Sequence, residues 1–310
     1  MNAIRTVVCP VDFSLATSRQ VGLASNICRA FGSQLVLHHN VSDVSAGAAV
    51  SWMWHADHVP AGPSSVDEQL RVYLRRVPKE VEVETCITRG AVTEGVLAVS
   101  DAAEADLVVL CEHSGKAEDH ASVIEFMLER SSHAVLALHD QGADLAVPRF
   151  VSDDGEQSVT QAVVVPVNVN NAAHPQVDLA CDLARQFPLR LSLLHVVESG
   201  TAEAANASET RQRLSELVPS DLASRVTFQV VVGDPVAAIV RESQRLSAVC
   251  IVMGEHTRVP VKRWFKRDNS RAVLHEAHCP VWYVPTRAAA AKSFERFALS
   301  DEKSRLWGNV

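Results

Sequence analysis

The chain has 310 residues, 47% of them hydrophobic and 21% charged, with a formal net charge of -8. That length holds two domains of ordinary size, and the composition excludes a disordered or fibrous protein. The acidic balance argues against a protein built mainly to bind nucleic acid, because phosphate contacts favour a basic surface. No apolar run approaches the roughly 20 residues that a membrane-spanning helix needs. From Met1 the sequence passes almost directly into Ile4-Arg5-Thr6-Val7-Val8, without the charged lead or cleavage site of a signal peptide, so a cytoplasmic location is expected. The seven cysteines (9, 28, 86, 111, 181, 250 and 279) are scattered, with no C-x-x-C pair, and read as buried thiols of a reducing compartment.

In chain order, short β-branched runs alternate with longer helical patterns. The first half predicts strands near 4–11, 34–41, 81–88, 105–111 and 134–138, with helices near 15–31, 65–77, 91–103 and 122–132. Ser14 is placed to cap the first helix. The second half predicts strands near 161–167, 190–197, 226–232, 248–253 and 281–284. There Gly233-Asp234-Pro235 supplies a turn, a cap and a first-turn proline in succession. Strands this apolar with helices between them indicate parallel sheets covered on both faces. The expected fold is α/β, two doubly wound domains, each a five-stranded parallel sheet with helices on both faces.

The halves are copies of one another. Pro10 and Asp12 of "TVVCPVDFS" fall on Pro166 and Asn168 of "TQAVVVPVNVN" at an offset of 156, and "LVLHHNV" falls on "LSLLHVV" at the same offset. Further on, "TRGAVTEGVLAVSDAAEADLVVLCEHS" matches "VVGDPVAAIVRESQRLSAVCIVMGEHT" at an offset of 143, so the first copy carries 13 extra residues between its second and third strands. The expected domains are 1–140 and 161–286, joined by a polar linker at 141–160 and followed by a helical tail at 287–310.

In their order and spacing, seen twice, "CPVDFS", "HHNV" or "HVV", the "GDP" helix start, "DLVVL" or "CIVMGEH", and the closing "HCPVWYVP" resemble the universal stress protein family. The likeness covers about 3–140 and 160–285, as in a tandem two-domain member. It implies association of domains through their last strands, here an intramolecular pairing of the two halves, with a homodimer as a further expectation. Some members bind ATP. In those, an Asp at the end of strand one and a backbone position after strand two hold the adenosine, and a G-x2-G-x9-G-[S/T] loop after strand four takes the phosphates. Glycines let the backbone approach phosphate, and a following helix start supplies the positive pole. The crevice lies where strand order reverses.

Carried onto this sequence, the loop motif is degenerate in both copies. In the second, Gly254 matches the first glycine, but Thr257, Arg267 and Asp268 stand at the other places, and Asn168 replaces the strand-one Asp. In the first, Cys111 and Ser114 hold the first two glycine places and "Ala121-Ser122-Val123" resembles Gly-Ser-Val, while Asp12 is kept and Val41 matches the adenine-facing position. Candidate nucleotide contacts are thus Asp12, Val41, Ser114, Ser122 and Gly254. Between 254 and 271 six Lys or Arg oppose two acids, and Arg258, Lys262, Arg263, Lys266 and Arg267 form either a solvated loop or a patch for an anion or an acidic protein partner.

Other features point less far. "SWMWHADHVPAGPSS" at 51–65 places His55, Asp57 and His58 together without a metal-ligand spacing, so no metal is expected. There is no nucleophile elbow, paired-carboxylate arrangement or Walker loop, and no catalytic residue is assigned. The function expected is that of a non-enzymatic stress-response or signalling factor without a required cofactor. The alternative is an ATP- or AMP-binding sensor using the first crevice.

Overall fold

The computed structural model describes residues 4–14, 16–41, 66–112, 123–139, 161–197, 206–254 and 269–285. These residues form two compact units. The first contains β1 (Thr6–Pro10), α1 (Thr17–Phe31), β2 (Gln34–Val41), α2 (Val66–Leu74), β3 (Val83–Arg89), α3 (Val92–Ala102), β4 (Leu107–Glu112), α4 (Val123–Arg130) and β5 (Ala134–His139). The second contains β6 (Gln161–Pro166), α5 (Pro175–Gln186), β7 (Leu189–Val197), α6 (Ala207–Glu216), β8 (Val226–Val232), α7 (Pro235–Arg245), β9 (Cys250–Gly254), α8 (Asn269–Glu276) and β10 (Val281–Val284).

In the first unit the strands lie in the order β3-β2-β1-β4-β5 and every pairing is parallel. In the second the order is β8-β7-β6-β9-β10, again all parallel. Strand order therefore reverses beside β1 and beside β6. Right-handed crossovers before and after a reversal fall on opposite faces, which gives each sheet two helical layers. The α/β, doubly wound expectation holds in both halves.

The sequence explains the elements. The central strands are apolar at consecutive positions because both faces are covered: Val7, Val8 and Cys9 in β1, and Val163, Val164 and Val165 in β6, are wholly buried. Helix α1 buries Gln20, Val21, Leu23, Ala24, Ile27, Cys28 and Phe31, a stripe at helical spacing. It ends at Gly32, whose φ of 65° is the left-handed conformation that glycine adopts without a Cβ penalty. Its N-cap is Ala16, without a side-chain cap, so the cap expected of Ser14 is not formed there. Asp234 does cap α7, its carboxylate accepting from the Ala237 N–H at 2.9 Å, with Pro235 at the first helical position.

Six of the seven cysteines are buried and Cys111 is half-buried. Burial pushes the thiols of Cys28 and Cys279 up to about 12 and also raises those of Cys9 and Cys250, which keeps them as inert apolar groups. Among the described residues no helix is long and apolar enough to cross a membrane, and no group of three His, Cys, Asp or Glu side chains could hold a metal ion.

Candidate functional site

In an open α/β sheet a ligand crevice forms outside the carboxyl ends of the strands at the reversal. In the first unit that place is bounded by the ends of β1 and β4, and the protein's own α1 reaches into it. Gln20, 3% exposed, donates from Nε2 to the Pro10 carbonyl at 2.7 Å and to the Val109 carbonyl at 2.7 Å. One side chain thus ties the two diverging strands together. Asp12, just past β1, turns the chain: its Oδ1 accepts from the Ser14 N–H at 3.0 Å and from the Thr17 hydroxyl at 2.8 Å.

Phe13 follows with φ at 62°, an uncommon conformation for a bulky residue. It stacks on His39 with ring centroids 4.3 Å apart and lies 6.0 Å from the Tyr73 ring. The Nδ1 of His39 lies 2.8 Å from the Val11 carbonyl and donates to it. Burial lowers the basicity of that imidazole, against the opposing pull of the Val11 bond and of Asp12. At the end of β2 the Val41 carbonyl accepts from the Gly90 N–H at 3.1 Å.

The second unit repeats this frame with different side chains. Asn168 Oδ1 accepts from the Asn170 N–H at 3.1 Å, where Asp12 accepts from Ser14. His195 Nδ1 contacts the Val167 carbonyl at 2.8 Å, and the Gly233 N–H donates to the Val197 carbonyl at 3.0 Å. Gln176 stands in the place of Gln20 and is 4% exposed. Its Nε2 donates to the Pro166 carbonyl at 3.4 Å, and its Oε1 lies so near Gly254 that a Cβ there would collide with it. Gly254 is not among the described glycines with positive φ. The lack of a side chain at 254 makes room for Gln176. Arg213 closes the rim, donating to the Val169 carbonyl at 2.9 Å and to Asn170 Oδ1 at 3.3 Å.

Residues 160–285 match the model of the universal stress protein family. The second unit is a universal stress protein domain. Solved structures extend the fold to the whole chain. A protein of unknown function from Pseudomonas aeruginosa PAO1 is 15% identical with a TM-score of 0.63, the match covering 95% of this chain and 97% of that one. A putative universal stress protein from Pseudomonas aeruginosa UCBPP-PA14 gives 16%, 0.63, 95% and 98%. A universal stress protein from Archaeoglobus fulgidus DSM 4304 gives 16%, 0.62, 90% and 96%. No protein of curated function matches the sequence significantly.

Of the sequence-derived candidates, the fold brings Asp12 and Val41 to the carboxyl end of the first sheet and Gly254 to that of the second. Ser114, Ser122, Arg258, Lys262, Arg263, Lys266 and Arg267 lie outside the described residues, as do the 51–65 insert, the linker and the tail. The two glutamines were not singled out from sequence. Their signal is a polar residue at the same place on the apolar face of both first helices, 156 residues apart.

Beside each crevice lies a buried polar network, and the two networks occupy different positions. In the first unit His38 Nε2 contacts the Thr88 hydroxyl at 2.7 Å, Thr88 donates to Asn40 Oδ1 at 2.7 Å, and Asn40 Nδ2 donates to the Gly90 carbonyl at 2.9 Å. Gly95 of α3 lies over them, and a Cβ there would stand 2.7 Å from both Asn40 Oδ1 and Thr88 Oγ1. At the equivalent places the second unit has Leu194, Val196, Val231 and Ala238. It has instead Glu242, 7% exposed, accepting from Ser192 at 3.0 Å, from Gln229 and from Arg245 at 2.8 Å. Burial raises the affinity of that carboxylate for a proton, but Arg245, Ser192 and Gln229 together outweigh it and hold Glu242 below the ordinary glutamate range. Its first-unit counterparts are Val36, Cys86, Val99 and Ala102.

Proposed function

We propose that this chain is a tandem universal stress protein that works as a non-enzymatic stress-response or signalling factor, through protein contacts or an anion other than ATP. The observation that carries the reading is the bridge made by Gln20, which joins the end of β1 to Val109 of β4 at the reversal of strand order, where a ligand would have to enter the sheet. Two features add support. The Asp12 carboxylate is engaged in its own turn, and the loop motif is degenerate in both copies.

The test is to purify the protein, denature it, look for released nucleotide, and titrate ATP with Mg²⁺ by calorimetry. The expectation is no nucleotide and no heat of binding. Micromolar ATP or AMP binding that disappears in Asp12→Asn would overturn the proposal in favour of a nucleotide sensor. That variant keeps the turn-forming oxygen that Asn168 supplies in the other half.

A further inference from the structure

The chain of bonds from His38 to Gly90 fixes the protons along it. Thr88 spends its hydroxyl proton on Asn40 Oδ1, so it can only accept from His38, and the His38 proton is therefore on Nε2. His38 Nδ1 is then a lone pair, buried with no hydrogen-bond partner, on a residue 1% exposed. A second proton has to go there, where it would create a buried cation and a donor without an acceptor.

Among the described residues, the charge that acts on His38 is that of His39, and it disfavours a cation. On the same face Cys86 of β3 is the register partner of His38, and burial keeps its thiol protonated. The buried residues of α3 are Val96, Val99 and Ser100. From β1 the residue opposite His38 is Pro10. On its own strand, His39 opposes a positive charge, and Asp12 acts on His39 from beyond the end of β1.

What the chain holds is also defined. β3 is the edge strand of the first sheet, and Gly90 begins the turn from β3 into α3. His38 and Asn40, both on β2, grip the edge strand through Thr88 and the turn through Gly90. We propose that the His38–Thr88–Asn40 chain is an acid-released lock that keeps β3 and the start of α3 on the first unit, and that the second unit has no counterpart to it. The quartet Leu194, Val196, Val231 and Ala238 fills the same space with apolar groups that do not titrate.

Burial, and then the neighbouring His39, push the His38 imidazole down to about 4 from its ordinary 6.5. The sign follows. Below pH 6.5 the opened segment takes up a proton that the closed one refuses, so the lock is at full strength above 6.5 and weakens as pH falls toward 4. Between pH 7 and pH 5 the opening constant should rise about 20-fold through this residue alone.

The experiment is hydrogen exchange read by mass spectrometry on the full chain at pH 7, 6 and 5, corrected for intrinsic exchange. It compares wild type with His38→Leu and with the combined variant His38→Leu, Asn40→Val, Thr88→Val, Gly95→Ala, which transplants the second unit's quartet. In wild type the peptides across 83–102 should lose about 20-fold more protection by pH 5 than in the variants. Equal pH slopes in wild type and the folded variants would overturn the lock. So would a direct NMR titration of the wild-type chain in which the His38 ring takes up its proton near pH 6.5 while folded. That measurement needs no variant and stands if the substitutions prevent folding.

Discussion

At Gly95 a methyl group would press on two atoms that cannot easily retreat. Asn40 is held by Thr88 on one side and the Gly90 carbonyl on the other, and Thr88 is held by His38. Gly95→Ala should therefore destabilise the protein by about 1–3 kcal/mol, measured by urea unfolding, even though alanine is the better helix former. At Gly254 the obstacle is the end of one side chain, Gln176, held by a single long bond. Gly254→Ala should cost less than Gly95→Ala, and the reverse order would contradict this account of the two contacts. The loop motif marks Gly254 in the sequence, and no motif marks Gly95. A glycine in a sequence announces close approach without saying what approaches. At 254 a strand-four ending suggested phosphate, whereas the neighbour in the structure is a glutamine from the first helix of the same unit.

Among the elements, the helix starts of the two copies form a matched pair. Ala91 and Asp234 precede α3 and α7 with nearly the same backbone, φ/ψ of −68°/128° and −74°/127°, and each follows a glycine of positive φ, Gly90 and Gly233. Only Asp234 has a side chain that reaches back to the helix, accepting from Ala237. Ala91→Asp should thus stabilise the first unit by about 1 kcal/mol, and Asp234→Ala should cost the second a similar amount, both read from urea midpoints at unchanged slope. An unimproved midpoint in Ala91→Asp would show that the α3 terminus is satisfied in another way. The Asp234 cap was legible because Gly-Asp-Pro carries its own geometry. The central strands were legible because doubly covered strands are apolar without interruption. Ends were less so: the pattern runs the first strand over 4–11, but the strand is Thr6–Pro10, with Ile4 and Val11 buried beyond its ends. Hydrophobicity records burial, and the ladder of hydrogen bonds stops sooner.

Across the whole molecule, what the sequence hid was long-range pairing of polar side chains. His38 and Thr88 lie 50 positions apart, as do Ser192 and Glu242, and no local pattern links them. The duplication was visible through shared positions, while the networks stand at positions where the copies differ. That placement bears on how a chain containing two similar halves assembles. If β8 took the place of β3 beside β2, Asn40 would meet Val231 in place of Thr88, and Gln229 would face His38 without Ser192 or Glu242. If α7 lay over β2, the Cβ of Ala238 would strike Asn40, and Glu242 would be buried against Val36. Each wrong exchange strands a buried polar group or a charge, which costs on the order of 1–3 kcal/mol for a neutral group and more for a carboxylate. Refolding from urea should accordingly yield more misassembled chain in the quartet variant than in wild type at equal protein concentration, counted by size exclusion. The mismatched interiors act as an address, directing each strand and helix to its own half of a chain that offers every element two berths.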